Sequence, residues 1–355
     1  MTKIKVGING FGRIGRAFLK IAWDRPEIEI VAVNDLGSVE NFAYLLKYDT
    51  VYRQWGHNIE VSGTDLIIDG KKIKFVSEKE VTKLPWKDLG IDVVVESTGL
   101  FTSYNKANAH ILAGAKKVVI SAPAKEESSA EALLLQTGKS KASAVKGETI
   151  LMSVNEDKFG TCDVTSNASC TTNAASPLIA ILHEVFGIEK AILNTVHGYT
   201  ASQSLVDGPS KKDLREGRAA AQNIVPSSTG AAIAVTKAFP DLVGLFDGIS
   251  MRVPVPAGSI VDVTFISKKN TTVEEVNEAL TKASKEPCWQ KVFAVTTEPI
   301  VSSDILGNSH ASIADLSFTR VVGGNLVKVM GWYDNEMGYT YTLVDHVIKT
   351  GESIK

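Results

Sequence analysis

Cys170 is the side chain of this sequence best placed for nucleophilic chemistry. It stands in the run Ser166-Asn167-Ala168-Ser169-Cys170-Thr171-Thr172-Asn173, where small and polar residues close a β-rich stretch. An apolar helical pattern follows, Leu178, Ile179, Ile181, Leu182, Val185 and Phe186, and Gly187 stops it. Cys170 therefore falls in a first helical turn, where free backbone N–H groups and the helix dipole favour an anion, and a lowered thiol pKa is expected. Pro177 lies inside the pattern, where its missing N–H and its ring cost roughly 3 kcal/mol, so a kink is expected. Strain tolerated beside a candidate nucleophile favours a functional reading. A cysteine by itself is ordinarily a small buried hydrophobe, so that reading depends on partners.

Partners exist. His197 ends a strand pattern over residues 191–196 and precedes Gly198-Tyr199-Thr200. Beside Cys170 it would be a general base; standing alone it would be an ordinary satisfied histidine. Arg252 lies within a strand pattern, where a charge is costly unless paired, so either an anionic ligand or a buried carboxylate is expected next to it. Thr229 and Gly230 open a helix of small residues over 231–239, a second place where free N–H groups suit an anion.

A different chemistry is written at the other end of the chain. The strand pattern 3–9 runs into Gly10-Phe11-Gly12-Arg13-Ile14-Gly15 and then an amphipathic run over 16–23. Strand, glycine turn and helix form the context in which such glycines bind a dinucleotide: one makes the tight turn, one admits a pyrophosphate, one lets helix and strand pack closely. A second strand, 28–33, ends in Asn34-Asp35, which places Asp35 about 20 residues beyond the last glycine, the spacing of an acid that holds the ribose hydroxyls. The alternative for Asp35 is a solvated loop acid. Its charge would repel the 2′-phosphate of NADP, and Leu36-Gly37-Ser38 offers no arginine to hold one, so NAD is the cofactor expected. Two further buried-strand patterns, 91–95 and 117–120, end near Thr98, Gly99 and Ser121, which are cofactor neighbours if the sheet is open and parallel and ordinary turn residues if not.

The elements that carry these residues need two domains. The 355 residues, 44% of them hydrophobic, suffice for two cores. Strand patterns over 249–255, 261–267 and 326–332 with a helical pattern over 273–285 suggest a second sheet-and-helix domain, and a last helical stretch from residue 336 could return to the first. A formal net charge of −2 without a basic stripe argues against nucleic acid or a membrane surface as partner. The N-terminal residues enter a strand without a signal-like apolar region, and no apolar run is long enough to span a bilayer, so a cytoplasmic protein is expected. Cys162, Cys170 and Cys288 are too few and too scattered for a disulfide framework or a cysteine-type metal site. Residues 124–148, polar and mixed in charge, suggest an exposed excursion or a flap and receive no function.

Taken together, the glycine turn, the run 166–173, His197-Gly198-Tyr199-Thr200, Ser228 to Ala232 and Trp332-Tyr333-Asp334-Asn335-Glu336-Met337-Gly338-Tyr339 resemble the glyceraldehyde-3-phosphate dehydrogenases over nearly the whole chain. The resemblance implies an α/β fold, with an N-terminal Rossmann-type domain over 1–169 completed by a C-terminal helix, 335–355, and an α+β catalytic domain with a mainly antiparallel sheet over 170–334. It implies Cys170 as nucleophile, His197 as its base, and Asn335 as the residue orienting the nicotinamide carboxamide. Thr200 and Arg252 match positions that hold the phosphate of glyceraldehyde 3-phosphate; Ser169, Thr171, Thr229 and Gly230 match those that hold inorganic phosphate. Asn9, Arg13, Ile14, Asp35, Thr98 and Ser121 match the NAD site, with Gly10 and Gly12 in its turn. A homotetramer is implied as well. The chain departs from the family pattern in the length of 124–148 and in Asp49-Thr50-Val51-Tyr52-Arg53-Gln54-Trp55, expected to be local variation that leaves the catalytic residues untouched. Two alternatives share the fold: erythrose-4-phosphate dehydrogenase, and a binding protein that has lost activity. The matches at Thr200 and 228–230 favour the three-carbon substrate over the first, and the intact Cys170, His197 and Asn335 argue against the second.

Overall fold

The computed structural model describes residues 3–124, 145–210 and 213–354. Most of the segment 124–148 singled out above lies outside the described residues. The chain divides into two compact units: Met1–Ile150, Glu156–Ala168 and Leu343–Lys355 form the first, Leu151–Asn155 and Ser169–Thr342 the second.

In the first unit β1 (Ile4–Asn9), α1 (Arg13–Trp23) and β2 (Ile28–Asn34) make a parallel strand–helix–strand unit. α2 (Val39–Lys47) follows, its first turn capped by Ser38, and a small hairpin of β3 (Tyr48–Asp49) and β4 (Arg53–Gln54). Then come β5 (Ile59–Ser62), β6 (Asp65–Ile68), β7 (Lys71–Val76), β8 (Val93–Glu96), the short helices α3 (Tyr104–Ala107) and α4 (Ala109–Leu112), β9 (Lys117–Ile120), β10 (Gly147–Thr149) and β11 (Val164–Ser166). Among the described residues these build a nine-stranded sheet in the order β10-β11-β9-β8-β1-β2-β7-β6-β5. It is parallel from β10 to β7, with β5 and β6 added as antiparallel strands. The central strands are buried on both faces, which is why they read as unbroken apolar runs. Strand order reverses at β1, whose neighbours are β2 and β8, and in open parallel sheets ligands bind beyond the carboxyl ends at such a point. The register there brings Asn9 opposite both Asn34 and Glu96.

In the second unit α5 (Cys170–Phe186) runs through Pro177 as one helix. Asn173 O, which a residue with an N–H at 177 would have used, accepts instead from the Ser176 hydroxyl at 3.5 Å. β12 (Ile188–Gly198), β13 (Val225–Ser228), α6 (Ala231–Thr236), β14 (Phe246–Val253), β15 (Ser259–Ser267), α7 (Val273–Ala283), β16 (Phe293–Thr296), β17 (Ser312–Asp315), β18 (Arg320–Val322) and β19 (Leu326–Tyr333) follow. α6 is shorter than the sequence pattern suggested, because Pro240 opens a separate turn beyond it. α7 starts on a capping box made by Thr272 and Glu275. Among the described residues the sheet has eight strands in the order β13-β14-β12-β15-β19-β17-β16, with β18 on β19. Only β12–β14 and β16–β17 are parallel, so the sheet is mainly antiparallel. α5 packs on β15, β17 and β19. The last helix, α8 (Met337–Glu352), starts where the Asp334 carboxylate accepts the N–H groups of Glu336 and Met337 at 2.9 and 3.0 Å. From Leu343 onward α8 belongs to the first unit, where the buried His346 bonds Thr165 Oγ1 at 2.8 Å and Asn167 Oδ1 at 3.1 Å.

Candidate active site

In the second unit Ser169 caps α5. Its hydroxyl accepts the Thr172 N–H at 3.1 Å, and its carbonyl accepts from Asn173 Nδ2 at 2.9 Å. Cys170 is thereby fixed as the first helical residue. Its Sγ lies 3.3 Å from Nε2 of His197, a buried residue near the end of β12. β12 and β14 pair in parallel with His197 directly opposite Arg252, and the Arg252 Nη1 reaches His197 Nδ1, which also lies 2.6 Å from Gly198 O. Arg252 has no carboxylate partner among the described residues.

The electrostatics differ from the sequence expectation in one respect. Burial pushes the Cys170 thiol above its ordinary value, although Arg252 and the backbone N–H groups of Thr171 and Cys170 pull it down. A helix start lowers a thiol pKa only when the sulfur keeps some solvation, and here desolvation is the larger effect. Burial and Arg252 together lower His197 to about 3, so it rests as a neutral imidazole able to take a proton.

Tyr333, which the sequence presents only as one residue of the run 332–339, belongs to the same cluster. Its hydroxyl bonds Thr171 Oγ1 at 3.0 Å and Thr195 Oγ1 at 2.8 Å, and its ring stands edge-on to His197 with centroids 5.9 Å apart. Thr195 could have been found: two residues before His197 on a strand, it must share the same face. The remaining anion-site candidates are spread over other elements. The Thr200 hydroxyl bonds Ser202 at 3.0 Å. β13, antiparallel to β14 with Val225 opposite Arg252, delivers Thr229, whose hydroxyl accepts the Ala231 N–H at 3.2 Å, and a Cβ at Gly230 would meet open space. Asn335 is buried with Oδ1 taken by Gly258 N and Ser259 Oγ, both at 3.0 Å, leaving Nδ2 as the group it can offer a ligand.

In the first unit the glycine turn has the geometry a pyrophosphate needs. Gly10 has φ +93°, and a Cβ there would lie 2.6 Å from Thr98 N; a Cβ at Gly15 would lie 2.1 Å from Gly10 O. A Cβ at Gly12 would meet nothing within 4 Å, so the backbone is open on that side at the start of α1. Asp35 is held at this turn by the N–H groups of Phe11, 2.7 Å, and Gly37, 3.2 Å. An uncapped helix start beside an oriented acid suits a dinucleotide.

Three expected cofactor residues are engaged elsewhere. Asn9, 1% exposed, gives its Nδ2 to Glu96 Oε2 at 2.6 Å and accepts from Asn34 Nδ2 at 2.7 Å. The Thr98 hydroxyl bonds Glu96 Oε1 at 2.5 Å. Both side chains bond the Glu96 carboxylate at the strand ends. Arg13 makes a two-pronged ion pair with Asp49, at 2.8 and 3.3 Å, and its guanidinium stands 5.8 Å from the Tyr52 ring centre. The divergent stretch 49–55 therefore reaches a proposed cofactor residue. Ile14 and Ser121 are half-buried at the same end of the sheet. Glu96 and His110 escaped notice in the sequence. The Trp86 indole donates to His110 Nδ1 at 2.9 Å, so His110 Nε2 carries a hydrogen and donates to Glu96 Oε2 at 3.0 Å, giving that carboxylate its fourth donor.

Comparison with known proteins matches residues 4–104 to the NAD binding domain of glyceraldehyde 3-phosphate dehydrogenase and residues 169–335 to its C-terminal domain. The chain is 46% identical over 344 residues to glyceraldehyde-3-phosphate dehydrogenase of Geobacillus stearothermophilus, covering 96% of both chains. It is 45% identical over 354 residues to that of Streptomyces coelicolor, covering 99% of both, and 46% identical over 344 residues to that of Neurospora crassa, again 96% of both.

Proposed function

The chain belongs to the glyceraldehyde-3-phosphate dehydrogenase family, and on that premise we propose that Cys170 is its nucleophile, His197 the base that activates it and Arg252 the cation that receives the substrate phosphate. The protein is an NAD-dependent phosphorylating oxidoreductase, converting D-glyceraldehyde 3-phosphate and inorganic phosphate to 1,3-bisphosphoglycerate. The observation that carries the site assignment is the 3.3 Å approach of Cys170 Sγ to His197 Nε2 at a helix start, with Arg252 opposite His197 and without a carboxylate partner among the described residues.

His197 Nε2 takes the Sγ proton as sulfur adds to the aldehyde, giving a hemithioacetal. The imidazolium that forms, and the free N–H at the start of α5, stabilise the oxyanion. NAD, when bound, would supply the hydride acceptor for oxidation of the hemithioacetal to a thioester. Asp35 would hold the ribose of NAD, the Gly10–Gly12 turn its pyrophosphate, and Asn335 Nδ2 the nicotinamide carboxamide; Arg13, Ile14 and Ser121 border that site, while Asn9 and Thr98 act through Glu96. Ser169, Thr229 and Gly230 would present inorganic phosphate to the thioester, with Thr171 held by Tyr333 at their side, and Thr200 joins Arg252 at the substrate phosphate.

The domain limits we propose are 1–169 with 335–355 for NAD and 170–334 for catalysis; the change of unit between Ala168 and Ser169 supports the first boundary. A homotetramer is supported by apolar side chains left exposed on the outer face of β12 and β14, Ile192 and Ile249, and on the loop that carries Leu205, Val206 and Leu214. Three free cysteines agree with a reducing, cytoplasmic setting; among the described residues no helix is long and apolar enough to cross a membrane.

The test is NADH formation from glyceraldehyde 3-phosphate and NAD with and without inorganic phosphate. Sustained phosphate-dependent reduction is expected, with one stoichiometric burst when phosphate is omitted, as the thioester stalls. Absence of reduction in both conditions would overturn the assignment.

A further inference from the structure

Glu96 closes β8 with its carboxylate enclosed in the first unit, 2% exposed, and the groups that reach it are donors. Oε2 accepts Asn9 Nδ2 at 2.6 Å and His110 Nε2 at 3.0 Å; Oε1 accepts the Thr98 N–H at 2.8 Å and the Thr98 hydroxyl. Trp86 settles the histidine, because an indole N–H can only donate: its bond to Nδ1 at 2.9 Å leaves the ring one hydrogen, on Nε2, and no charge. Asn9 is settled from its other end, where Oδ1 accepts Asn34 Nδ2 at 2.7 Å. The Asn34 amide is itself fixed by the Glu78 backbone, whose N–H donates to it at 2.9 Å and whose O accepts from it at 3.0 Å. Neutral donors thus hold a negative charge that no lysine or arginine pairs among the described residues.

A buried charge without a counter-ion is costly, and hydrogen-bond dipoles offset only part of that cost. A ligand that brings a positive charge would offset more. Strand order says where such a ligand would meet Glu96. β2, β1 and β8 lie side by side, with Asp35 beyond the end of β2 and the glycine turn beyond the end of β1. A dinucleotide with its ribose at Asp35 and its pyrophosphate at the turn continues over the end of β8, where Glu96 stands.

Resting on the NAD site proposed above, we propose that the charge of Glu96 sets the preference of this protein for the oxidised cofactor over the reduced one. The nicotinamide ring is positive in NAD and neutral in NADH. At about 10 Å, two strand spacings, and an effective dielectric of about 20, the attraction of one unit charge for another is worth roughly tenfold in affinity. Hydride transfer removes the charge that Glu96 attracts, so NADH is held less tightly than NAD and exchanges for it. Glu96 acts through its field and not by touching the ring, while Asn9, Thr98 and His110 hold its carboxylate in place.

A merely structural role predicts something else. The donors on Glu96 tie the ends of β1 and β8 together, and Thr98 N lies where a Cβ on Gly10 would be, 2.6 Å away, so losing the carboxylate for structural reasons alone would weaken every ligand of the glycine turn alike. The experiment is calorimetric titration of the intact enzyme, wild type and Glu96→Gln, with NAD, NADH and ADP-ribose, which has the adenosine and pyrophosphate but no nicotinamide. In the wild type NAD should bind more tightly than NADH. In Glu96→Gln the ratio of the NADH Kd to the NAD Kd should fall by about fivefold to tenfold, with NADH and ADP-ribose weakened to the same smaller extent. Glu96→Asp keeps the charge and breaks the hydrogen bonds, so it should weaken all three ligands alike and keep the wild-type ratio; it carries the test by itself if Glu96→Gln does not fold. An unchanged ratio in Glu96→Gln, or a ratio that falls as far in Glu96→Asp, would overturn the proposal. A wild type that binds none of the three ligands would instead overturn the NAD site itself, so the two failures are distinguishable.

Discussion

Acidification should destabilise the first unit through His346, by an amount that its burial sets. The ring is fully enclosed and its pKa is lowered by burial from 6.5 to about 3. The unfolded chain therefore binds one more proton than the folded chain between those values, and stability rises with pH across that window, is complete above about 6.5, and is lost as pH falls toward 3. Each pH unit inside the window is worth about 1.4 kcal/mol, so lowering the pH from neutral to about 5 removes about 2 kcal/mol through this residue. His346→Gln keeps an acceptor for Thr165 and a donor for Asn167 but cannot titrate. The variant should lose about 2 kcal/mol less than the wild type over the same interval. Amide hydrogen exchange at β11, corrected for the intrinsic pH dependence, reports on this unit specifically, because Thr165 on that strand is the partner of His346. Carboxylates titrate alike in both proteins and drop out of the difference. If His346→Gln shows the full wild-type loss, the ring is not neutral in the folded chain, and the argument from burial fails.

Three other outcomes are expected. His197→Asn should keep the fold and slow acylation in single-turnover kinetics by roughly a hundredfold or more, the scale for losing a general base; an unchanged rate would place the base elsewhere. Asp35→Gly, which also releases the N–H groups of Phe11 and Gly37, should raise the KM for NAD by about tenfold or more and relax discrimination against NADP. Unaltered cofactor preference would mean that Asp35 does not face the ribose. Tyr333→Phe leaves the Thr171 and Thr195 hydroxyls short of a partner inside the protein and should cost about 1–3 kcal/mol in urea unfolding; Thr195 keeps Ile260 O as acceptor, which favours the lower end.

The sequence alone determined whatever depends on neighbours along the chain. The strand, glycine turn and helix of residues 4–23 and the spacing to Asp35 are local, because turn geometry and helix starts are set by a few consecutive residues. The same holds for Cys170 at the start of α5, which the Ser169 cap and the Gly187 stop announce. The end of α6 at Thr236, short of the apolar pattern, is local too, since Pro240 opens a separate turn beyond it. What only the tertiary structure decided is pairing and desolvation. The thiol of Cys170 is raised where its helix position suggested lowering, because no sequence pattern states how much water a sulfur keeps. Glu96 gathers donors from Asn9, Thr98 and His110 because parallel register aligns the ends of β1 and β8. Tyr333 meets Thr171, and Arg252 meets His197, across long stretches of chain through strand order and register. Sequence fixes the period of each strand, but which strands lie side by side, and hence which charges share a dry site, is decided only when the whole sheet forms.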